Sequence, residues 1–325
     1  MNCLLAGWCG DAAGAVLEFM RSEEITPSSI QEALRMPGGG VFKVGPGQIT
    51  DDSELELAIL NAVRSHDPHD GYPIDDVAAN YISWIESAPF DIGRTCYKAF
   101  NNAKNASDMM KNASSLNMNT ESNGALMRAA GLAVWASTMP VNVVAQYAKQ
   151  DALFSHPNPY CVECNKLFCC AISLLLKQQK VTIEEKASKV YDWVYRNARL
   201  TKEWLDEPMD SLVASVNIGH VKHAFRLAIH HMKHMTSYED AMFDVLIRGG
   251  DTDTNAKIVM NILGALYNND PNHKLPNYMV GPVLTFDCTK VAPSQGRRRP
   301  SLFGVKYFVS SQIQDKKKAK KQEDS

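Results

Sequence analysis

Apolar residues recur at intervals of three and four along most of the 325-residue chain. Leu55, Ile59, Leu60 and Val63 form one such stripe, Val77, Tyr81, Trp84 and Ile85 a second, and Leu126, Ala130, Ala133 and Val134 a third. Val190, Trp193 and Val194, then Val221, Ala224, Phe225 and Ala228, then Ile258, Ile262, Ala265 and Leu266 continue the series. That spacing places each group on one face of a helix. Strand-like alternation is scarce, so the pattern predicts an all-α, multi-helix bundle.

Gly-, Pro- and Asn-rich loops separate the stripes, most clearly from Met36 to Gly47 and from Ser155 to Pro159. Glycine there either lets backbone approach a ligand or merely satisfies a connector that needs positive φ. Length alone suggests about two domains, but no linker composition interrupts the first 265 residues. One compact domain over residues 1–312 is expected. The pattern loosens after Asn268, and the run Asp315-Lys316-Lys317-Lys318-Ala319-Lys320-Lys321 has no apolar partners, so residues 313–325 are expected to be a disordered tail.

The N-terminal apolar run lacks a basic flank and is cut short by Asp11, which does not fit a signal sequence. No stretch of about 18 uncharged apolar residues suggests a membrane span. With 45% hydrophobic and 22% charged residues and a net charge of −2, the composition is that of an ordinary globular protein without a general polyanion-binding surface. Nucleic acid is therefore not an expected partner except through the basic tail, and a monomer is expected. Arg297-Arg298-Arg299 and the tail read first as solvated runs, with nuclear targeting or an anionic partner as the alternative.

Eight cysteines include Cys161-x-x-Cys164 followed by Cys169-Cys170, a spacing open to zinc or redox chemistry. Val162, Leu167, Phe168, Ile172 and Leu175 interleave with them, as in a helix buried on most of its surface, and packing is the preferred reading. Reduced thiols suit a cytosolic compartment, or a nuclear one.

Candidate chemistry lies in two acidic clusters at predicted helix starts, Thr50-Asp51-Asp52-Ser53-Glu54 and Gly250-Asp251-Thr252-Asp253-Thr254. Their hard oxygens suit Mg²⁺, Mn²⁺ or Ca²⁺. The competing reading is helix capping, since Asp51-x-x-Glu54 and Ser53-x-x-Glu56 both fit a capping box. A cap needs one side-chain oxygen, whereas adjacent carboxylates repel unless a cation lies between them. Glu18, among Val16, Leu17 and Phe19, reads as either a general acid or base or a solvent-facing residue of an N-terminal helix. Ser122-Asn123-Gly124 before an apolar helix would offer amides to a phosphate, and His156 either bonds a ligand or sits on the surface.

Taken together and in order, these motifs resemble the ADP-ribosylglycohydrolase family. The likeness runs through Gly10-Asp11-Ala12-Ala13-Gly14-x-x-x-Glu18, Pro46 to Glu54, Phe90-Asp91-Ile92-Gly93, Ser122 to Arg128 and Ser155-His156-Pro157. It ends on Ile218-Gly219-His220-Val221 and the most specific piece, Gly249-Gly250-Asp251-Thr252-Asp253-Thr254-Asn255-Ala256. The departures are the cysteines after His156, Lys257, which follows a position that is often small and apolar, and the Lys-rich tail, which has no family counterpart.

The resemblance implies an all-helical fold whose central cleft holds two divalent cations, Mg²⁺ or Mn²⁺. It implies Thr50, Asp51, Asp52, Asp251, Asp253 and Thr254 as ligands, and Glu18, Asp52 and Asp253 as catalytic. Asp91, Ser122, Asn123, Gly124 and His156 would meet the substrate, with the Gly38–Phe42 loop in the cleft wall. The implied activity is hydrolysis of the glycosidic bond at C1″ of an ADP-ribosylated protein or small molecule. The family also contains catalytically silent members, so the alternative is an ADP-ribose-binding module of the same fold.

Overall fold

The computed structural model describes residues 2–178 and 181–323, with side chains up to residue 314. In chain order the helices are α1 (Asn2–Gly14), α2 (Pro27–Ala33), α3 (Asp51–Val63), α4 (Ile74–Glu86), α5 (Arg94–Phe100), α6 (Ala106–Leu116), α7 (Ala129–Trp135) and α8 (Val141–Ala152). There follow α9 (Pro159–Lys177), α10 (Ile183–Asn197), α11 (Lys202–Asp206), α12 (Val221–His234), α13 (Tyr238–Ile247), α14 (Thr252–Leu266), α15 (Asn277–Thr285) and α16 (Val305–Glu323). The described residues form no strand beyond two isolated bridges, Gly39 to Val44 and Ser122 to His220, so the all-α expectation holds.

The predicted stripes lie on α3, α4, α7, α10, α12 and α14, but α14 exceeds its stripe: every residue from Thr252 to Leu266 is buried. This central helix packs against α1, itself almost entirely buried. The two approach closely because α1 presents glycine to α14. A Cβ on Gly10 would lie 2.6 Å from the Ala256 carbonyl oxygen, and one on Gly14 2.3 Å from the Asp253 Cα. That contact lays the end of α1 against the first turn of α14, where the second acidic cluster begins.

α9 is long and apolar enough by length and composition to cross a membrane, but 61% of that stretch is buried in the protein, against α7 and α8 among others. All eight cysteines are buried and free, four of them on α9, in agreement with the packing reading. α16 runs on into the Lys-rich segment expected as a tail. Its side chains from residue 315, and residues 324–325 altogether, lie outside the described residues.

Candidate active site

Thr50 is the residue before the first turn of α3, yet its side chain makes no capping bond to its own helix. The capping is done from α1. The buried Asp11 carboxylate accepts from the Thr50 amide at 3.0 Å, the Thr50 hydroxyl at 3.0 Å and the Ser53 amide at 3.2 Å. Orphan amides at a helix start need one acceptor, and here a neighbouring helix supplies it. Asp51 and Asp52 are thereby released from capping. Sequence reading passed over Asp11, although it stands inside the Gly10–Gly14 motif.

α14 starts in the same way, with Asp251 before its first turn and no side-chain cap. Gly249 and Gly250, at φ 65° and 77°, hold the preceding turn in the left-handed region. The Gly250 amide donates to the Met20 carbonyl and the Phe19 amide to the Gly250 carbonyl, pinning residues 19–20 beside the cluster. Glu18 therefore sits in the turn after α1, not on a helix, and is buried rather than solvent-facing.

Early and late clusters converge. The Thr254 hydroxyl donates to Asp52 Oδ2 at 3.2 Å, and the Thr50 hydroxyl oxygen, whose one proton goes to Asp11, lies 3.2 Å from the same oxygen and 3.4 Å from Asp253 Oδ2. One oxygen each from Glu18, Asp91 and Asp253 lie within 4.8 Å of one another. Such crowding shows in the protonation equilibria. Burial, then the charges of Asp251, Asp51 and Asp11, pushes Glu18 up to about 9. Burial also carries Asp51 up to about 7, while burial with Asp51 and Glu18 carries Asp91 up to about 11. Asp52 and Asp253 are held well above the carboxylate range, burial first and neighbouring carboxylates second. Asp52 Oδ1 and Glu18 Oε2 are buried without a donor. Acceptors left bare among carboxylates fit divalent cations, which satisfy several oxygens at once.

The other two acids of α3 face away from the cleft, each held by a cation and an indole. Glu54 receives Arg299 through Nε at 2.8 Å and Trp84 Nε1 at 2.7 Å. Glu56 receives Lys257 Nζ at 2.9 Å and Trp8 Nε1 at 2.8 Å. Neither acts in a capping box. Lys257, one of the departures noted above, is fully buried, and its ammonium also reaches Ser53 Oγ at 3.2 Å. Arg299 is buried too, so the solvated reading of the arginine run fails at that residue: its guanidinium is the counterion that Glu54 requires.

Asn123, Gly124, Ser122 and His156 form another part of the cleft wall. Asn123 Nδ2 donates to Asp251 Oδ2 at 2.7 Å, but its backbone amide is spent on the Gly219 carbonyl, so that amide is not open to a phosphate. His156 is fully buried, its Nε2 2.9 Å from Ser122 Oγ and its Nδ1 2.8 Å from Ser155 Oγ. Burial and the Arg128 charge hold the imidazole well below its usual range, hence neutral. Arg128, also fully buried, reaches Asp151 Oδ2 at 3.0 Å, the Gly124 carbonyl at 3.1 Å and Ser155 Oγ at 2.9 Å, fixing this wall from behind. Asp91 lies beside Asp51, whose Oδ2 accepts from the Gly93 amide at 3.3 Å.

The cleft encloses about 400 Å³ and is lined by every predicted site residue except Thr50, which lies directly beneath. Phe42 from the Gly38–Phe42 loop is part of its wall, between Phe19 and Phe90.

Residues 1–294 match the family model described as ADP-ribosylglycohydrolase. A protein of Acanthamoeba polyphaga mimivirus named as an ADP-ribosyl glycohydrolase is 29% identical over 310 residues, 89% of this chain and 92% of the relative. The ADP-ribosyl-[dinitrogen reductase] glycohydrolase of Rhodospirillum rubrum is 24% identical over 262 residues, 80% and 83% of the two chains. Among solved structures, an ADP-ribosylglycohydrolase-related protein complex superposes with a TM-score of 0.68 at 18% identity, covering 95% of this chain and 96% of that one. With the helical fold and the converging acidic clusters in place, the chain belongs to the ADP-ribosylglycohydrolase family.

Proposed function

We propose that this protein is a divalent-metal-dependent hydrolase that releases ADP-ribose from a modified side chain or small molecule by cleaving the bond at C1″. The observation that carries this reading is the contact between the early and late clusters, Thr254 to Asp52 and Thr50 to Asp253, in a cleft with bare buried carboxylate oxygens.

Thr50, Asp51, Asp52, Asp251, Asp253 and Thr254 would hold two ions, Mg²⁺ or Mn²⁺. The chemistry supplied there when they are bound would be that of Lewis acids, polarising ribose hydroxyls and stabilising charge at the anomeric carbon. Glu18 is buried and lies against Asp253, which places its carboxyl group to move a proton at the scissile bond. Asp52, fixed by the Thr254 hydroxyl, and Asp253, fixed by the Thr254 amide, orient what binds above them. Asn123, anchored to Asp251, and Ser122, anchored to neutral His156, present polar groups along the diphosphate side of the cleft. Water adds its hydroxyl to C1″ and its proton to the departing acceptor. The buried, unpaired thiols fit a reducing compartment, cytosolic or nuclear.

Changing Asp253 to Asn should abolish ADP-ribose release from arginine-linked and serine-linked ADP-ribosyl peptides assayed separately with Mg²⁺, while the helical circular dichroism signal stays. Retained turnover would refute the assignment, and the pair of substrates identifies the linkage.

A further inference from the structure

The loop that supplies Phe42 to the cleft has a second face. Phe42 is followed by Lys43 and Val44, which with Pro37, Pro46, Phe286 and Lys290 line a groove of about 630 Å³ on the other side. The loop between cleft and groove is braced at several points. Gly39 and Val44 exchange backbone bonds, Gly40 lies so close to the Ala15 carbonyl that no side chain fits there, and the Arg297 guanidinium donates to the Phe42 carbonyl. Gly45 rests on the Phe286 ring and the Gln295 carbonyl, joining the loop to the segment after α15.

The groove's charge is one-sided. Its single acid, Asp287, is neutralised internally by Lys306 Nζ at 3.0 Å, Tyr307 at 2.7 Å and Thr289 Oγ1 at 2.8 Å. Lys43 and Lys290 are exposed, and among the described residues neither ammonium has a carboxylate or hydrogen-bond partner. The remaining lining sets proline, valine and phenylalanine beside Gly39, Thr285, Ser294 and Gln295. Two free cations over a floor that offers proline, valine and phenylalanine surfaces between polar groups suit an extended polypeptide that alternates acidic and apolar side chains. They do not suit a phosphate backbone, which needs a longer track of cations.

We propose that this groove docks an acidic stretch of the protein that carries the ADP-ribose, placing the modified side chain over the Phe42 rim into the cleft. The proposal rests on the hydrolase reading above and adds the class of substrate, a polypeptide with acidic flanking sequence.

The test uses the full chain and a short labelled peptide alternating glutamate and valine, read by fluorescence anisotropy. A glutamine-for-glutamate counterpart and a single-stranded oligonucleotide of equal charge serve as controls. The acidic peptide should bind, lose affinity as salt rises, and bind about tenfold or more weakly to a Lys43→Glu/Lys290→Glu variant. Absence of peptide binding, equal binding by the variant, or an oligonucleotide that binds as tightly would overturn the proposal. In a parallel assay on free ADP-ribosylated arginine and serine, kcat/KM of the variant should equal that of the unaltered protein; a fall there would show that the substitutions damage the cleft and overturn the separation of the two sites. Peptide binding by a protein that turns over none of these substrates would refute the hydrolase reading and leave the groove standing.

Discussion

The Asp11 carboxylate lies 3.0 Å from both the amide and the hydroxyl of Thr50, thirty-nine residues further along the chain. One acid from α1 thus performs the capping that the acids of α3 were equipped to perform themselves. The carboxylates of Thr50-Asp51-Asp52 are therefore not needed as caps: the cap is occupied from outside, and Asp51 and Asp52 line the cleft. Asp11 is a positioning residue, acting on the site through Thr50.

Replacing Asp11 with Ala should therefore cost twice. The Thr50 and Ser53 amides and the Thr50 hydroxyl lose their acceptor in a buried setting, worth about 1–3 kcal/mol of stability. Thr50 would also lose the bond that fixes its hydroxyl between Asp52 and Asp253. Thermal denaturation should show the lower melting temperature, and isothermal titration with Mn²⁺ a weaker affinity; an unchanged Mn²⁺ affinity would separate Asp11 from the site.

Acids crowded without a counterion make stability depend on pH in an uncommon direction. A carboxyl group whose folded pKa is raised binds its proton more tightly folded than unfolded, so stability is lost as pH climbs from the ordinary carboxylate value of about 4 through the folded value. Glu18 and Asp51, at about 9 and about 7, set that window. His156, with its pKa pushed down, acts in the opposite sense, but below about pH 6.5. In EDTA the melting temperature should fall from pH 7 to pH 9. Added Mg²⁺ should raise it and flatten the slope, since bound cations replace the protons. Parallel slopes with and without Mg²⁺ would count against a metal site.

Beneath the cleft, Arg299 is the counterion of Glu54 and also donates to Ser87 Oγ and its carbonyl. Changing Arg299 to Met should destabilise the protein by about 3–5 kcal/mol, because Glu54 would be left as an unpaired buried charge. Adding Glu54→Gln should recover much of that loss. A denaturant series on the two single variants and the double variant gives the coupling.

These relationships explain which parts of the molecule were legible in the sequence. The helices were, because their apolar spacing is local, and so was the composition of the two clusters, because their ligand types are contiguous. The partnerships were not. Glu54 meets Arg299 across 245 positions and Lys257 meets Glu56 across 201, and no short window contains both members. For Glu18 the sequence leaves two readings open, an acid or base in apolar company and a solvent-facing residue of an N-terminal helix, and the helix fails because the chain leaves α1 at Gly14. His156 offered no local sign of its burial, which depends on Arg128, Ser122 and Ser155 closing around it. The arginine run near 298 looked solvated because charge in a weakly patterned segment carries no trace of a distant buried acid.

The close approach of α1 to α14 gives a test of how the two clusters are brought together. At Gly14 an added methyl group would lie 2.3 Å from the Asp253 Cα and 2.5 Å from the Thr252 carbonyl oxygen, both backbone atoms that no rotamer change can move. Gly14→Ala must push α14 outward at the turn that carries Asp251 and Asp253, with a destabilisation of about 1–3 kcal/mol and loss of ADP-ribose release. Gly281→Ala is the matched control. That glycine lies inside α15 with nothing beyond its chain neighbours within 4 Å of an added Cβ, and the helix-propensity gain of alanine is offset by crowding against Pro282, so stability should change by less than about 1 kcal/mol and turnover should stay unchanged. Should both variants melt and turn over alike, helix proximity at Gly14 would not be what sets the distance between Asp52 and Asp253.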